Sequence, residues 1–262
     1  PAFVSKGGNL VMPGFTAPKL EWVRRHEPGA FEKVHKVLLP KDYVRLRMTG
    51  DLASDMSDSS GTLWMDVEAR TWSEELLAAC GLTIDHMPKL YEGHEVTGVL
   101  RQEAAEAWGM DRVPVVAGGG DNAAGAAGVG VIDEGEALLS LGTSGVIFVA
   151  GNTFRSNPDS AAHAFCHALP DRWHLMSVML SAASCLDWAV KLTGTSDAGE
   201  LVKLAQTEAG LAGSEQFLPY LSGERTPHNN PHASGVLFGL THDSGSAQIG
   251  QAVLEGVAFG MA

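Results

Sequence analysis

The segment at 118–130 reads GGGDNAAGAAGVG, and glycine or alanine fills most of its positions. It follows the apolar stretch VPVVA at 113–117, which predicts a short buried strand. Glycine allows positive φ and close backbone approach, whereas alanine favours a helix. The segment therefore predicts a strand, a tight glycine loop and a small-residue helix in succession. It is not a common nucleotide loop, because no GxGxxG follows a strand and GxxxxGK[ST] does not occur.

Asp121 lies where this glycine loop meets the predicted helix. A carboxylate at the end of a strand, with glycines clearing the space around it, can reach into a cleft. The positive end of the helix would stabilise its negative charge. Alternatively, Asp121 only caps the helix, which is a common role for aspartate. Spacing alone leaves both interpretations open.

A second polar turn, GTSG at 142–145, lies between the apolar segments EALLSL and VIFVA. The pattern predicts a hairpin over 136–149. Backbone amides and hydroxyls converge in such a turn, which suits a phosphate group. An ordinary hairpin turn is the alternative, and it is the more common case.

The two features together indicate more than either does alone. A carboxylate base and a phosphate-holding hairpin, on opposite sides of a hinge at about 125–135, are typical of a phosphoryl-transfer cleft. Gly125, Gly128 and Gly130 suit either such a hinge or close helix packing.

Charge and composition exclude several classes of protein. The 262 residues carry 18 Lys plus Arg against 31 Asp plus Glu, a net charge of −13, which argues against nucleic-acid binding. No apolar run is long enough to span a membrane. Three scattered cysteines predict no disulfide framework and favour a reducing, cytoplasmic compartment. His163 and His167 flank Cys166, but no second ligand cluster accompanies them, so we predict no metal site there.

Hydrophobic periodicity and capping residues predict the remaining elements. Ser73 and Gly81, for example, bracket a predicted helix at 73–80. The last predicted helix contains three glycines, so it should pack closely against a neighbour. The predicted helices cover 17–27, 40–49, 73–80, 101–108, 181–192, 200–208 and 248–262, and further strands cover 173–179 and 235–240.

Several stretches of the chain resemble the FGGY family of carbohydrate kinases. They are GFTAPKLEWVRRHE at 14–27, GVLFGL at 235–240 with QIGQAVLE at 248–255, VPVVAGGGDNAAGAAGVG, LLSLGTSGV and FLPYLSGERTPHNNP. Within the family they are most similar to the branch that phosphorylates xylulose. The resemblance implies an α/β fold with two actin/hexokinase/Hsp70-like (ribonuclease H-like) domains, present in part. It implies part of a sugar-binding domain at 1–125 and part of a nucleotide-binding domain at 126–262.

The resemblance also implies roles for individual residues. Asp121 would be the general base that takes a proton from the attacking sugar hydroxyl, and Asn122 would bind the sugar. Gly142, Thr143 and Ser144 would lie against the phosphates of ATP, the donor that acts together with Mg²⁺. Ser181, at the start of the predicted 181–192 helix, is a further candidate near the nucleotide. No metal ligand is assigned to this chain.

The sequence also departs from the family pattern. The family's DxGT phosphate loop, its early Met-His pair and its late GGG-Ala adenosine patch do not occur in it. We therefore expect a central fragment that is inactive alone. The expected partners are a small sugar and ATP, and a homodimer stays open. Alternatives are a kinase of gluconate, ribulose or glycerol, or a non-catalytic actin-like ATP-binding protein. Neither SDSSGT at 57–62 nor GERTPH at 223–228 has a predicted role beyond loop packing.

Overall fold

The computed structural model describes residues 1–210 and 213–262. The helices, in chain order, are α1 (Ala2–Ser5), α2 (Thr16–His26), α3 (Pro28–Phe31), α4 (Pro40–Thr49), α5 (Met56–Ser60), α6 (Glu74–Ala79), α7 (Gln102–Trp108), α8 (Asp121–Gly128), α9 (Ser184–Thr193), α10 (Ala198–Glu208) and α11 (Ser246–Met261). The strands are β1 (Ala53–Asp55), β2 (Met65–Asp66), β3 (Thr71–Trp72), β4 (Lys89–Tyr91), β5 (Val96–Val99), β6 (Pro114–Val116), β7 (Ala137–Leu141), β8 (Gly145–Gly151), β9 (His163–Cys166), β10 (Trp173–Met179), β11 (Gln216–Leu218) and β12 (Val236–Phe238).

Local capping chemistry sets many of the helix ends. The Ser73 side chain accepts a hydrogen bond from the Leu76 amide at the start of α6. Helices α4 and α7 end at Gly50 and Gly109, whose φ values of 90° and 64° are left-handed. The helices predicted at 40–49, 73–80 and 101–108 are therefore confirmed to within about one residue.

Two details of the secondary-structure prediction are wrong. The strand expected at 113–117 forms as β6, but it is not buried, since Val113 and Val116 are 39% and 46% exposed. An apolar run predicts a strand but not how many neighbours cover it, and β6 pairs with β5 in a two-stranded sheet. The helix expected from 181 begins only at Ser184.

Short ladders and one larger sheet connect the strands. Strands β1 and β4 are parallel, with Asp55 opposite Tyr91. The pairs β2–β3, β5–β6 and β11–β12 are antiparallel. A four-stranded sheet has the order β7-β8-β10-β9. Strands β7 and β8 are joined by residues 142–144, so the predicted hairpin is confirmed.

The chain divides into two structural units. Unit 1 consists of Pro1–Ala137, Phe148–Pro158 and His163–Leu175, and unit 2 consists of Leu138–Ile147, Asp159–Ala162 and Met176–Ala262. Each unit has its own buried apolar cluster. The cluster of unit 1 contains Ala17, Leu63, Trp64, Leu77, Cys80, Leu82 and Met87, and that of unit 2 contains Cys185, Ala189, Leu201, Phe217, Ala252 and Val253.

Helix α11 packs closely at its glycines, as its sequence predicts. A Cβ at Gly250 would lie 3.0 Å from a side-chain carbon of Leu201, and one at Gly256 would overlap the carbonyl oxygen of Phe217. Glycine is thus required at position 256, where α11 crosses β11, while a Cβ at position 250 would need a small shift of Leu201 in α10.

The cysteines Cys80, Cys166 and Cys185 are all free and buried. Burial raises the pKa of each thiol, to about 11 for Cys166 and Cys185. All three are therefore protonated near neutral pH, and none has the low pKa of a nucleophilic thiol.

Candidate active site

Asp121 in unit 1 is the first residue of α8, and its side chain is exposed. The residue before it, Gly120, occupies the N-cap position with an extended backbone. Oδ1 of Asp121 accepts hydrogen bonds from the amide and the side-chain Nδ2 of Asn122, at 2.7 and 3.0 Å. Within residues 1–210 and 213–262, Oδ2 of Asp121 accepts no hydrogen bond. The carboxylate is thus oriented through one oxygen and keeps the other for a ligand.

The glycines before Asp121 allow the loop to pass close to its neighbours. Gly118 has φ +82° and donates its amide to the Gly93 carbonyl at 3.0 Å. A Cβ at Gly119 would lie 3.2 Å from Cβ of Ala168 and 3.3 Å from Oγ of Ser57. The Gly120 amide donates to the same Ser57 oxygen at 2.9 Å. The predicted strand, glycine loop and small-residue helix are therefore confirmed.

Three further carboxylates and one ammonium group form a cluster next to the glycine loop. Nζ of Lys41 is 2.5 Å from Asp55, 2.7 Å from Asp42 and 3.7 Å from Asp58. Burial opposes the charge on Lys41, but the Asp55 and Asp42 carboxylates outweigh it and raise the Lys41 pKa. Lys41, Asp42, Asp55 and Asp58 together form what we call the acidic cluster.

Asp58 has a carboxyl group with a raised pKa. Burial raises its pKa to about 6, Lys41 opposes that rise, and Asp55, Asp42 and Asp121 add to it. Asp58 thus titrates close to physiological pH, and the negative charge of Asp121 contributes to its raised pKa.

The acidic cluster was not predicted from the sequence, although one local signal was available. Asp55 is the N-cap of α5 and accepts hydrogen bonds from the Ser57 and Asp58 amides at 2.8 and 3.1 Å. Aspartate is a favoured N-cap residue, and Asp55 directly precedes the helical segment at 56–60. The contacts of Lys41 with Asp55 and of Gly120 with Ser57 join residues far apart in the chain, and sequence spacing does not predict them.

The 142–144 turn in unit 2 is held through its carbonyl groups. The Ala183 amide donates to the Gly142 carbonyl at 2.9 Å, and the Ala182 amide donates to that of Thr143 at 3.0 Å. The Ser184 hydroxyl also donates to the Thr143 carbonyl, at 2.8 Å. In the described residues the amides and hydroxyls of Thr143 and Ser144 donate to no acceptor. These donors are free to bind oxygens of a ligand such as a phosphate.

Ser181 does not begin a helix, in contrast to its predicted position. It lies three residues before α9 and is buried, and its carbonyl accepts from Sγ of Cys185 at 3.3 Å. It directly precedes Ala182 and Ala183, which bind the 142–144 turn. Ser181 is thus the residue next to those that bind the 142–144 turn, and it belongs with the turn to unit 2. Asp121 and Asn122 belong to unit 1.

Two loops without a predicted role have defined surroundings. The run at 57–62 lies within and directly after α5, next to the glycine loop. In the loop at 223–228, the buried Glu224 accepts hydrogen bonds from the Leu180 and Arg225 amides at 3.0 and 2.7 Å. The second loop therefore packs against the end of β10, as the structural alternative predicts.

Gly125, Gly128 and Gly130 lie in open surroundings. A Cβ added at any of the three positions would have no neighbouring atom within 4 Å. Close helix packing is therefore not the reason for glycine there. The hinge interpretation remains a prediction.

Comparison with known proteins identifies the family. Residues 1–128 match the N-terminal domain of the FGGY family of carbohydrate kinases, and residues 137–262 match its C-terminal domain. The chain belongs to the FGGY family, so the resemblance seen in the sequence is confirmed. The predicted fold class is confirmed with it, as a part of the actin/hexokinase-like α/β kinase fold.

Individual relatives agree with this assignment. The xylulose kinase of Escherichia coli K12 is 65% identical over 97% of this chain and 53% of its own length. A kinase structure from Brucella ovis has a TM-score of 0.96 and 52% identity, covering 100% of this chain and 54% of that one. A gluconate kinase structure from Lactobacillus acidophilus has a TM-score of 0.91 and 27% identity, covering 98% and 53%. The chain thus spans about half the length of the curated relatives it matches.

No helix within residues 1–210 and 213–262 combines the length and the apolar character needed to cross a lipid bilayer.

Proposed function

We propose that this chain is the central part of an ATP-dependent kinase that converts D-xylulose to D-xylulose 5-phosphate. The 65% identity to the Escherichia coli xylulose kinase supports the substrate, and the match to both FGGY domains supports the reaction type. The observation that carries the proposal is Asp121, an exposed carboxylate that follows a glycine loop and is oriented by Asn122.

Asp121 acts as the general base in this proposal. Its free oxygen accepts the proton of the attacking sugar hydroxyl, which makes that oxygen a better nucleophile. Asn122 holds the other carboxylate oxygen and uses its remaining hydrogen-bonding groups on the sugar. Phosphoryl transfer needs little covalent chemistry from the protein, so the main task of these residues is to position the hydroxyl.

The 142–144 turn binds phosphate in this proposal. The amides and hydroxyls of Thr143 and Ser144 suit phosphate oxygens, because the protein leaves these donors without acceptors and the carbonyls point into the fold. ATP supplies the transferred phosphoryl group, with Mg²⁺ neutralising its charge. Mg²⁺ is usually held by one or two carboxylates plus the phosphates, and the described residues contain no cluster of three metal-binding side chains. We assign no metal ligand to this chain.

The proposal also assigns the two domains, the role of Ser181 and the cellular compartment. The sugar-binding domain covers 1–125 and the nucleotide-binding domain covers 126–262. Ser181 contributes to nucleotide binding indirectly, because Ala182 and Ala183, which follow it, bind the 142–144 turn. The free, buried cysteines support a reducing compartment such as the cytoplasm. A polypeptide of these 262 residues alone should be inactive, because the DxGT loop and the adenosine patch of the family do not occur in it.

The main alternative is another sugar kinase of the same family. The gluconate kinase structure from Lactobacillus acidophilus has a similar fold, so fold alone does not choose the sugar. A non-catalytic ATP-binding protein is a weaker alternative, because it has no need of an exposed, oriented carboxylate at Asp121.

The test is a substrate panel on the complete kinase that contains this chain. ADP release is measured with ATP, Mg²⁺ and each of D-xylulose, L-ribulose, D-gluconate and glycerol. D-xylulose should give the highest kcat/KM. A higher kcat/KM for L-ribulose, gluconate or glycerol would show that D-xylulose is not the preferred substrate. If ADP release does not depend on any of these compounds, the kinase assignment is refuted.

A further inference from the structure

The Ser57 hydroxyl connects the acidic cluster to the loop that carries Asp121. Oγ of Ser57 donates to Oδ2 of Asp55 at 2.5 Å and accepts from the Gly120 amide at 2.9 Å. A hydroxyl has a single proton, so donation to Asp55 leaves its lone pairs for the amide. Ser57 and Gly120 are 63 residues apart in the chain, and this contact is therefore tertiary.

Asp55 and Lys41 determine the direction in which the Ser57 hydroxyl donates its hydrogen bond. Asp55 is fully buried, and its other carboxylate oxygen pairs with the Lys41 ammonium at 2.5 Å. A carboxylate in contact with an ammonium group is a strong acceptor, so it attracts the Ser57 proton. The Ser57 oxygen then faces the Gly120 amide with the correct polarity.

The glycine loop packs directly against α5 around this contact. A Cβ at Gly119 would lie 3.3 Å from Oγ of Ser57, and a Cβ at Gly120 would lie 3.4 Å from Cα of Asp58. The glycines therefore let the loop rest directly on the N-terminal part of α5. Because Gly120 is the N-cap of α8, its position determines where Asp121 begins the helix.

We propose that Ser57 is a positioning residue for the reaction: its hydroxyl, oriented by Asp55, holds the Gly120 amide and so fixes the Asp121 carboxylate relative to the sugar. The proposal rests on the role of Asp121 in the proposed function. Ser57 is buried and contacts the Gly120 amide, so in this proposal it acts on turnover through Asp121. A displacement of about 1 Å at a catalytic group can cost on the order of 100-fold in rate.

The test compares Ser57→Ala with Ser59→Ala in the complete kinase. Ser59 is equally buried in α5, but its hydroxyl donates to Ser54 at 2.8 Å and does not contact the glycine loop. Ser57→Ala should lower kcat about tenfold, comparable to the loss of one strong hydrogen bond, while the KM for D-xylulose changes less than about twofold. Ser59→Ala should leave kcat within about twofold.

Amide hydrogen exchange of the 118–122 segment supplies a readout that does not depend on activity. Ser57→Ala should speed exchange of the Gly120 amide about fivefold, and Ser59→Ala should not. An unchanged kcat for Ser57→Ala, or equal losses in the two variants, would overturn the proposal. If the unmodified kinase phosphorylates none of the tested sugars, the proposed function fails, and unchanged exchange at Gly120 would show that Ser57 does not hold the loop.

Discussion

The Asp121 loop and the 142–144 turn both present polar groups from a tight, glycine-containing segment, but they are held in different ways. The Asp121 loop is held by a backbone hydrogen bond from Gly118 to Gly93 and, in addition, by the side-chain network of Ser57, Asp55 and Lys41. The 142–144 turn is held mainly by backbone amides of Ala182 and Ala183.

This difference predicts how each site responds to mutation. A side-chain network can be weakened one group at a time, and the charge of its members changes with pH. A turn held by backbone amides keeps its shape when its own side chains change, so substitutions there should report directly on ligand contacts. Four substitutions test this contrast and the packing around it, starting with the largest expected effect.

Asp121→Asn should lower kcat of the complete kinase by at least about 100-fold, because the amide cannot accept the proton of the sugar hydroxyl. Sugar affinity should be kept, since the amide has nearly the same size and can still bond to Asn122. Steady-state kinetics and sugar binding without nucleotide check both parts. Asp111→Asn, at another exposed carboxylate of unit 1, is the matched control. Turnover near that of the control would leave Asp121 with a structural role only.

Gly256→Ala should destabilise unit 2 by about 1–3 kcal/mol, because its Cβ would overlap the Phe217 carbonyl oxygen and no flexible side chain can yield. Gly125→Ala in α8 is the matched control. It has no neighbour within 4 Å, and alanine there should stabilise the helix by up to about 1 kcal/mol. Denaturant unfolding measures both. Equal effects would mean that α11 packs more loosely than described.

Thr143→Val removes a hydroxyl and keeps the branched shape. Because backbone amides hold the turn, its conformation should persist, and the KM for ATP should rise about three- to tenfold. Sugar binding measured without nucleotide should be unchanged. Thr207→Val, on the exposed face of α10, controls for general effects of the substitution. If the ATP response matches that of the control, the turn does not contact the phosphates.

Asp58→Asn should show the pH sensitivity of the acidic cluster. The folded pKa of Asp58 is about 6, above its ordinary value of about 3.9, so the folded state binds more protons between these values. Stability contributed by Asp58 is therefore present below about pH 4 and lost as pH rises through 6. The variant should be more stable than the unmodified chain at pH 7, with a difference that shrinks at pH 4. Because a third of the side chain is exposed, the gain should be well below the roughly 3 kcal/mol of a fully buried group.

Denaturant unfolding of the Asp58→Asn variant and the unmodified chain at pH 4 and pH 7 measures the difference in stability. A difference in stability that is the same at both pH values would contradict this account.

Local chemistry made much of the fold predictable. Ser73, Gly50 and Gly109 set helix ends through hydrogen bonds and backbone angles that involve only nearby residues. The hairpin around residues 142–144 follows from two apolar strands and a short polar turn. Predictions of this kind need no knowledge of distant contacts.

The parts that could not be predicted depend on groups far apart in the chain. The acidic cluster forms because α4, the end of β1 and α5 meet in the fold. The exposure of β6 depends on how many elements cover it, which its apolar sequence does not specify. Ser181 lies three residues before α9, and the Ala182 and Ala183 amides that follow it bind the 142–144 turn, a tertiary contact that helical periodicity does not indicate.

The three buried cysteines give the chain built-in reporters of local opening. Cys80 and Cys166 belong to unit 1 and Cys185 to unit 2, and each thiol is protected by burial and a raised pKa. A thiol reagent can therefore react only when the surrounding structure opens. The labelling rate at each cysteine, compared with the rate in the unfolded chain, yields a separate opening free energy for each unit. The opening of unit 1 and of unit 2 can thus be followed independently, without adding a probe to either.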